Sequence, residues 1–191
     1  MKKVLMFGDL HVPTRADAIP KAFYDYISHQ HYDLCLVTGD LVQEDKMRAV
    51  MPPLPTCYIA QGNMDMGARH EFHHELQIEG LSFLLLHGTQ LRPRGNLDQL
   101  WEIAKNIGAH VTVHGHTHTP SIDVHKGRLF LNPGTITGAT GGWGGRKDAS
   151  FLEAVISSLN IDVTLFYTNW QVVKESRLHF RLEDETMTQV Q

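Results

Sequence analysis

The chain has 191 residues, of which 42% are hydrophobic, and its 17 basic and 21 acidic side chains leave a formal charge of -4. That length can bury one substantial core and is short for two, so a single domain over residues 1–182 with a polar tail over 183–191 is expected. The acidic balance argues against a protein held to nucleic acid chiefly by phosphate neutralisation.

The opening MKKVLMFGDLH has two lysines and a short apolar run, but Gly8, Asp9 and His11 interrupt it before it reaches the length of a signal peptide or membrane span. It reads as a first strand, KVLMFGD. Five further apolar runs close on glycine and a polar group: LCLVTGD, CYIAQGN, FLLLHG, VTVHGHTH and LFLNPG. Helices are predicted between them at Pro20–His29, Glu44–Val50 and Asn96–Ile107, the last with Leu97, Leu100, Trp101, Ala104 and Ile107 at helical spacing. Alternating strand and helix implies an α/β fold with a largely parallel sheet, whose ligand sites collect beyond the carboxyl ends of the strands.

RHEFHHE, Arg69 to Glu75, sets His70, His73 and His74 at helical separations, and a solvated face is favoured there over a separate metal site. Further on, IDVHKGRLFL, SFLEAVISS, NIDVTLFYT and WQVVKESRLHF predict a second, antiparallel sheet. GATGGWGG, Gly138 to Gly145, is read as a mobile rim carrying an exposed Trp143, with Arg146 and Lys147 beside it but without the pattern of a nucleotide-binding loop. Cys35 and Cys57 sit in apolar stretches and read as small core residues, which suits a reducing cytoplasm.

The run ends supply Asp9, His11, Asp40, Asn63, His87, His116 and His118. Any one of them has a structural explanation, as a helix cap, a turn residue or a hydrogen-bonded surface histidine. Together at strand ends they do not, because converging carboxylates and imidazoles are costly to desolvate unless a metal compensates them. Oxygen and nitrogen donors without thiolate suit Mn²⁺, with Zn²⁺ or Fe²⁺ as alternatives. Seven donors exceed what one such ion with an open position takes, but suffice for two divalent ions sharing a carboxylate. Two such ions bind phosphate and generate hydroxide near neutral pH.

In order, GDLH, TGD, GNMD, HG, GHTH and NPGT resemble the motifs of calcineurin-like metallophosphoesterases, especially small prokaryotic phosphodiesterases. GDLHVP, HGTQLRPRG and NPGTITGA further resemble the vacuolar protein sorting protein 29 family, the phosphoesterase-like subunit of retromer, over nearly the whole chain. The resemblance implies a four-layer sandwich of two facing β-sheets flanked by helices. It implies one metal on Asp9, His11, Asp40 and His118, and the other on Asp40, Asn63, His87 and His116, with Asp40 bridging and His114 not a ligand. Catalysis is then expected of Asp40, Asn63, His87 and His116, through a metal-bridging hydroxide acting on a phosphodiester.

Two departures qualify the resemblance. Retromer subunits of this kind tend to lose the acidic or amide ligands that Asp40 and Asn63 keep here. Strongly active phosphoesterases place a histidine after the asparagine, where this chain has Met64, leaving water or Asp65 as the remaining proton sources. The alternative function is a scaffold that docks on a helical-solenoid partner in protein trafficking, peripheral to a membrane through that partner. In those relatives the Leu91, Arg92, Pro93, Arg94 loop contributes to an apolar partner-binding patch, which Arg92 and Arg94 make more basic here.

Overall fold

A computed structural model describes residues 1–65, 67, 69–142, 145–170 and 173–190. Three helices, α1 (Lys21–Ser28), α2 (Glu44–Val50) and α3 (Leu97–Ile107), lie within a turn of their predicted bounds. α3 begins at Asn96, whose side chain accepts from the Gln99 N–H, and stops at Gly108, whose φ of 78° only glycine adopts without strain.

The strands are β1 (Lys2–Phe7), β2 (Leu34–Val37), β3 (Cys57–Ile59), β4 (His73–Ile78), β5 (Leu81–Leu86), β6 (Val111–Val113), β7 (Ser121–His125), β8 (Arg128–Asn132), β9 (Ala149–Ser157), β10 (Asn160–Thr168), β11 (Val173–Glu183) and β12 (Thr186–Val190). They form a seven-stranded sheet ordered β12-β11-β10-β9-β1-β2-β3 and a five-stranded sheet ordered β4-β5-β6-β8-β7. Each sheet contains a parallel triplet, β1-β2-β3 in one and β5-β6-β8 in the other.

Period-two alternation assigns the layers. Val4, Met6, Leu36, Phe83, Leu85, Val111 and Val113 fill the core between the sheets. Leu5, Phe7, Cys35 and Val37 point the other way, with Phe23 and Ile27 of α1 and Met47 of α2. Leu84, Leu86 and Phe130 turn outward on the second sheet to meet Leu100 and Ala104 of α3. The result is a four-layer α/β sandwich.

Three expectations change. The C-terminal strands do not make a separate sheet: β9 pairs antiparallel with β1, so the β9–β12 meander extends the sheet that the N-terminal strands begin. Residues expected to form a polar tail pair with β11 as β12, because Met187 offers one side chain that is 1% exposed to the core beneath. The RHEFHHE histidines are not on a helix, since β4 begins at His73, and the alternation of half-buried His74 and Leu76 with exposed neighbours suits an edge strand. Cys35 and Cys57, both free, face each other across β2 and β3, Cys35 fully buried and Cys57 partly so.

Candidate metal centre

Both parallel triplets end at the same cleft. Asp9 and His11 follow β1, Asp40 follows β2, Asn63 follows β3, His87 follows β5, and His116 and His118 follow β6. Chains leaving adjacent strands must turn sharply to present side chains there, and five of these residues have positive φ: Asp9 (48°), His11 (52°), Asp40 (53°), His116 (69°) and His118 (57°). Left-handed backbone costs a non-glycine residue roughly 1–2 kcal/mol. Five such residues in one cleft mark stored strain of the kind that gathers at functional sites.

Two groups of side chains converge. Asp9, His11, Asp40 and His118 form one, Asp40, His87 and His116 the other, with the candidate ligand atoms of each group within 4.8 Å of one another. Asp40 Oδ2 lies 3.5 Å from His11 Nε2 and 3.5 Å from His87 Nε2, one histidine from each group. Asp9 Oδ1 is 3.3 Å from His118 Nε2. His11 Nε2 and His118 Nε2 are 3.2 Å apart, and His87 Nε2 and His116 Nδ1 are 3.1 Å apart.

Hydrogen bonds at the far side of each group set which atom faces the cleft. A carbonyl can only accept, so His87 Nδ1–H donates to Thr38 O at 2.7 Å and His118 Nδ1–H to Ala139 O at 2.7 Å, turning both Nε2 lone pairs inward. Asp9 Oδ2 accepts from the His116 N–H and Asp40 Oδ1 from the Met64 N–H, which leaves Asp9 Oδ1 and Asp40 Oδ2 toward the centre. Burial lowers His11 to a pKa of about 3 and His116 and His118 to about 4, so the rings are neutral near pH 7. Burial, and then the charge of Asp40, raises Asp9 well above the usual carboxylate range, and burial raises Asp40.

This arrangement fits a cation. Asp9 Oδ1 is buried with no hydrogen-bond partner, a loss of solvation that a neighbouring cation would offset. Donors bound at ~2.1 Å to a common ion stand ~3–3.5 Å apart, as most of these do.

The residues that brace the cleft carry no bracing signal in the sequence, where Asp65 reads as a proton source. Asp65 is 2% exposed, and its carboxylate accepts from the backbone N–H groups of Asp40, Leu41, Val42 and Gly62. It is therefore a brace for the Asp40 turn and not a free proton source. Thr135 and Thr137 donate their hydroxyls to the carbonyls of Asp9 and Leu10, which gives the TIT of NPGTITGA its place under the first loop. Asn132 holds the histidine loop through the Thr117 hydroxyl at 2.9 Å. His114 faces Asn132 and is buried behind the cleft, outside both groups.

Asn63 is exposed, accepts from the Thr89 hydroxyl at 3.5 Å and lines the same cavity as His87. The RHEFHHE histidines diverge: His70 faces Glu44, His73 faces Glu75 and His74 bonds the Ile59 carbonyl. Leu91, expected on a surface loop, is 1% exposed and packs under α3, so it adds nothing to an exposed patch. Arg92 bonds the carbonyls of Thr89 and Leu91. The ends of the glycine-rich loop are joined by Lys147 N–H to Gly138 O, while Trp143 lies outside the described residues.

Residues 1–152 match the model of the calcineurin-like phosphoesterase superfamily domain. A probable metallophosphoesterase of Methanothermobacter thermautotrophicus is 34% identical over 134 residues, which span 69% of this chain and 76% of that protein. A Vps29 single mutant from Entamoeba histolytica superposes with a TM-score of 0.86 at 26% identity, covering 94% of this chain and 99% of that one. The wild-type Entamoeba Vps29 in complex with Zn²⁺ has a TM-score of 0.82 at 27% identity, covering 93% of this chain and 98% of that one. The chain belongs to the calcineurin-like phosphoesterase superfamily.

Proposed function

We propose that the chain is a metal-dependent phosphodiesterase. The carrying observation is Asp40 Oδ2 standing 3.5 Å from one histidine of each Asp/His group, the position a carboxylate shared by two sites would take. In this reading Asp9, His11, Asp40 and His118 hold one divalent ion, and Asp40, Asn63, His87 and His116 the other. Mn²⁺ suits the donor set, and the zinc complex of the Entamoeba relative supports Zn²⁺ as an alternative.

When bound, the ions supply Lewis-acid polarisation of the phosphoryl group and a water acidic enough to act as nucleophile near neutral pH. The chain's own groups supply the rest. Thr38 O and Ala139 O fix two imidazole tautomers, and burial keeps the rings unprotonated. Arg15 donates to Thr140 O and Lys147 to the Thr119 hydroxyl at the rim beside His118, and with exposed Arg94 they draw an anionic diester in. Hydrolysis consumes one water, breaks one P–O ester bond and releases an alcohol and a phosphomonoester. Mn²⁺-loaded protein should hydrolyse bis(p-nitrophenyl) phosphate, and His87→Ala should abolish the activity. Absence of turnover with Mn²⁺, Zn²⁺ and Fe²⁺ alike would refute the reading.

The near-complete coverage of the Vps29 structures favours a second reading. In it the chain is a scaffold for a helical-solenoid partner, cytoplasmic and membrane-associated only through that partner; no helix among the described residues is long and apolar enough to cross a membrane. If docking uses a face away from the cleft, calorimetry with a solenoid protein from the same organism should give similar affinities for wild type and His87→Ala. Equal loss of binding and catalysis would place the partner on the metal cleft.

A further inference from the structure

A cavity of about 510 Å³ opens from the His87 side of the cleft, within the range of small-molecule sites. Its polar end is made by Asn63 and His87. Phe72, Leu84, Leu86, Ile103 and Ile107 make one apolar wall, and Asp65 and His73 are the other ionisable groups in the lining. The trough exists because α3 packs on the outward residues Leu84 and Leu86 of β5, and edge strand β4 carries no helix of its own. Phe72, just before β4, lines it with 76% of its surface exposed.

Charge distinguishes this end from the other. Among the described residues no lysine or arginine lines the cavity; Arg15 and Lys147 stand at the opposite rim, beside His118, and the charges of Arg92 and Arg94 act on His116 between the two ends. A second phosphate or other anionic arm would meet neither lysine nor arginine among the described residues of the trough. Resting on the phosphodiesterase reading, we propose that this trough is the arm pocket of the site and receives an apolar, aromatic ester arm of the substrate, with any anionic arm directed to the Arg15 and Lys147 rim.

Two esters with the same leaving group test the pocket apart from the chemistry. With Mn²⁺-loaded protein, kcat/KM for phenyl p-nitrophenyl phosphate should exceed that for methyl p-nitrophenyl phosphate by about 10- to 100-fold, the gain expected from burying one ring. Phe72→Ala, at an exposed position, and Ile103→Ser should cut that ratio to about 3 or below while leaving the methyl ester within about twofold of wild type. Equal rates on both esters, or variants that slow both alike, would overturn the proposal. If neither ester is hydrolysed, the phosphodiesterase reading fails, and the pocket is judged by relaxation of ligand protons near bound Mn²⁺. Diphenyl phosphate binding about tenfold tighter than dimethyl phosphate, with the difference lost in Phe72→Ala, would uphold it. Equal binding of the two anions would overturn it.

Discussion

The Asp65 carboxylate holds the Asp40 backbone: Asp65 Oδ2 accepts from the Asp40 N–H at 2.9 Å and Oδ1 from the next two N–H groups at 2.7 and 2.9 Å. Asp40 itself is at a φ of 53°, a conformation its own sequence does not favour. Asp65→Ala removes an anion accepting four backbone N–H bonds, so it should destabilise the fold by about 3 kcal/mol. It should also weaken metal affinity about 10- to 100-fold although Asp65 is not a proposed ligand. Thermal melts with and without metal, together with metal titration, check both effects, and an unaltered affinity would remove Asp65 from the bracing role.

Gly62 lies against the same turn. A Cβ there would overlap the Asp40 carboxylate and the Asp40 backbone nitrogen and Cα, and the backbone atoms cannot swing aside. Gly62→Ala should therefore shift Asp40, with a stability loss of about 1–3 kcal/mol and a larger proportional loss of metal binding. Gly67→Ala is the control for added bulk, since its Cβ meets nothing within 4 Å, though its φ of 83° adds some strain.

How far the sequence was legible follows from these residues. Ligand-type side chains at strand ends could be read because each apolar run is short and closes on glycine, and the helices could be read in the segments between those runs, the third from its apolar spacing. Asp65 and the Thr135 and Thr137 hydroxyls could not, since their partners are backbone groups brought near by tertiary turns and no periodicity marks them. Sheet membership was misread for the same reason: the β1–β9 pairing joins residues about 150 positions apart, and alternation within a strand says nothing of its neighbour. Leu91 was misjudged because flanking Arg92, Pro93 and Arg94 made its segment look like surface throughout.

Four imidazoles, His11, His114, His116 and His118, are depressed by burial, to about 3 for His11 and about 4 for the others. In metal-free protein at pH 5.5 they should stay neutral, where an unperturbed histidine is roughly 90% protonated. Their folded pKa values lie below the unfolded value of 6.5, so the unfolded chain binds more protons between pH 6.5 and about 4, and their contribution to stability falls as pH drops through that window. Asp9 and Asp40, raised by burial, act in the opposite sense: their contribution is present below the unfolded carboxylate pKa of 3.8 and lost as pH rises through the raised values. Ring-resolved NMR titration separates the two, and rings titrating near 6.5 would contradict the buried, neutral site.

Met64 donates its backbone N–H to Asp40 Oδ1 but carries no titratable side chain. With the Asp65 carboxylate occupied by four backbone N–H groups, no side chain of the GNMD turn is free to protonate a departing alkoxide. Diesters with aryl leaving groups should be hydrolysed measurably and those with alkyl leaving groups far more slowly. Met64→His should narrow that gap by up to roughly 10²-fold. Comparing kcat/KM for matched aryl and alkyl leaving groups in both proteins checks it, and equal rates in the wild type would show that leaving-group protonation does not limit the reaction.

Anomalous scattering from metal-replete crystals tests whether a pair of divalent ions shares Asp40. Two anomalous peaks are expected, one contacting Asp9, His11, Asp40 and His118 and the other contacting Asp40, Asn63, His87 and His116, with Asp40→Asn lowering occupancy at both and His118→Ala chiefly at the first. One peak or none in the wild-type protein, or an Asp40→Asn variant that keeps both ions at full occupancy, would contradict it.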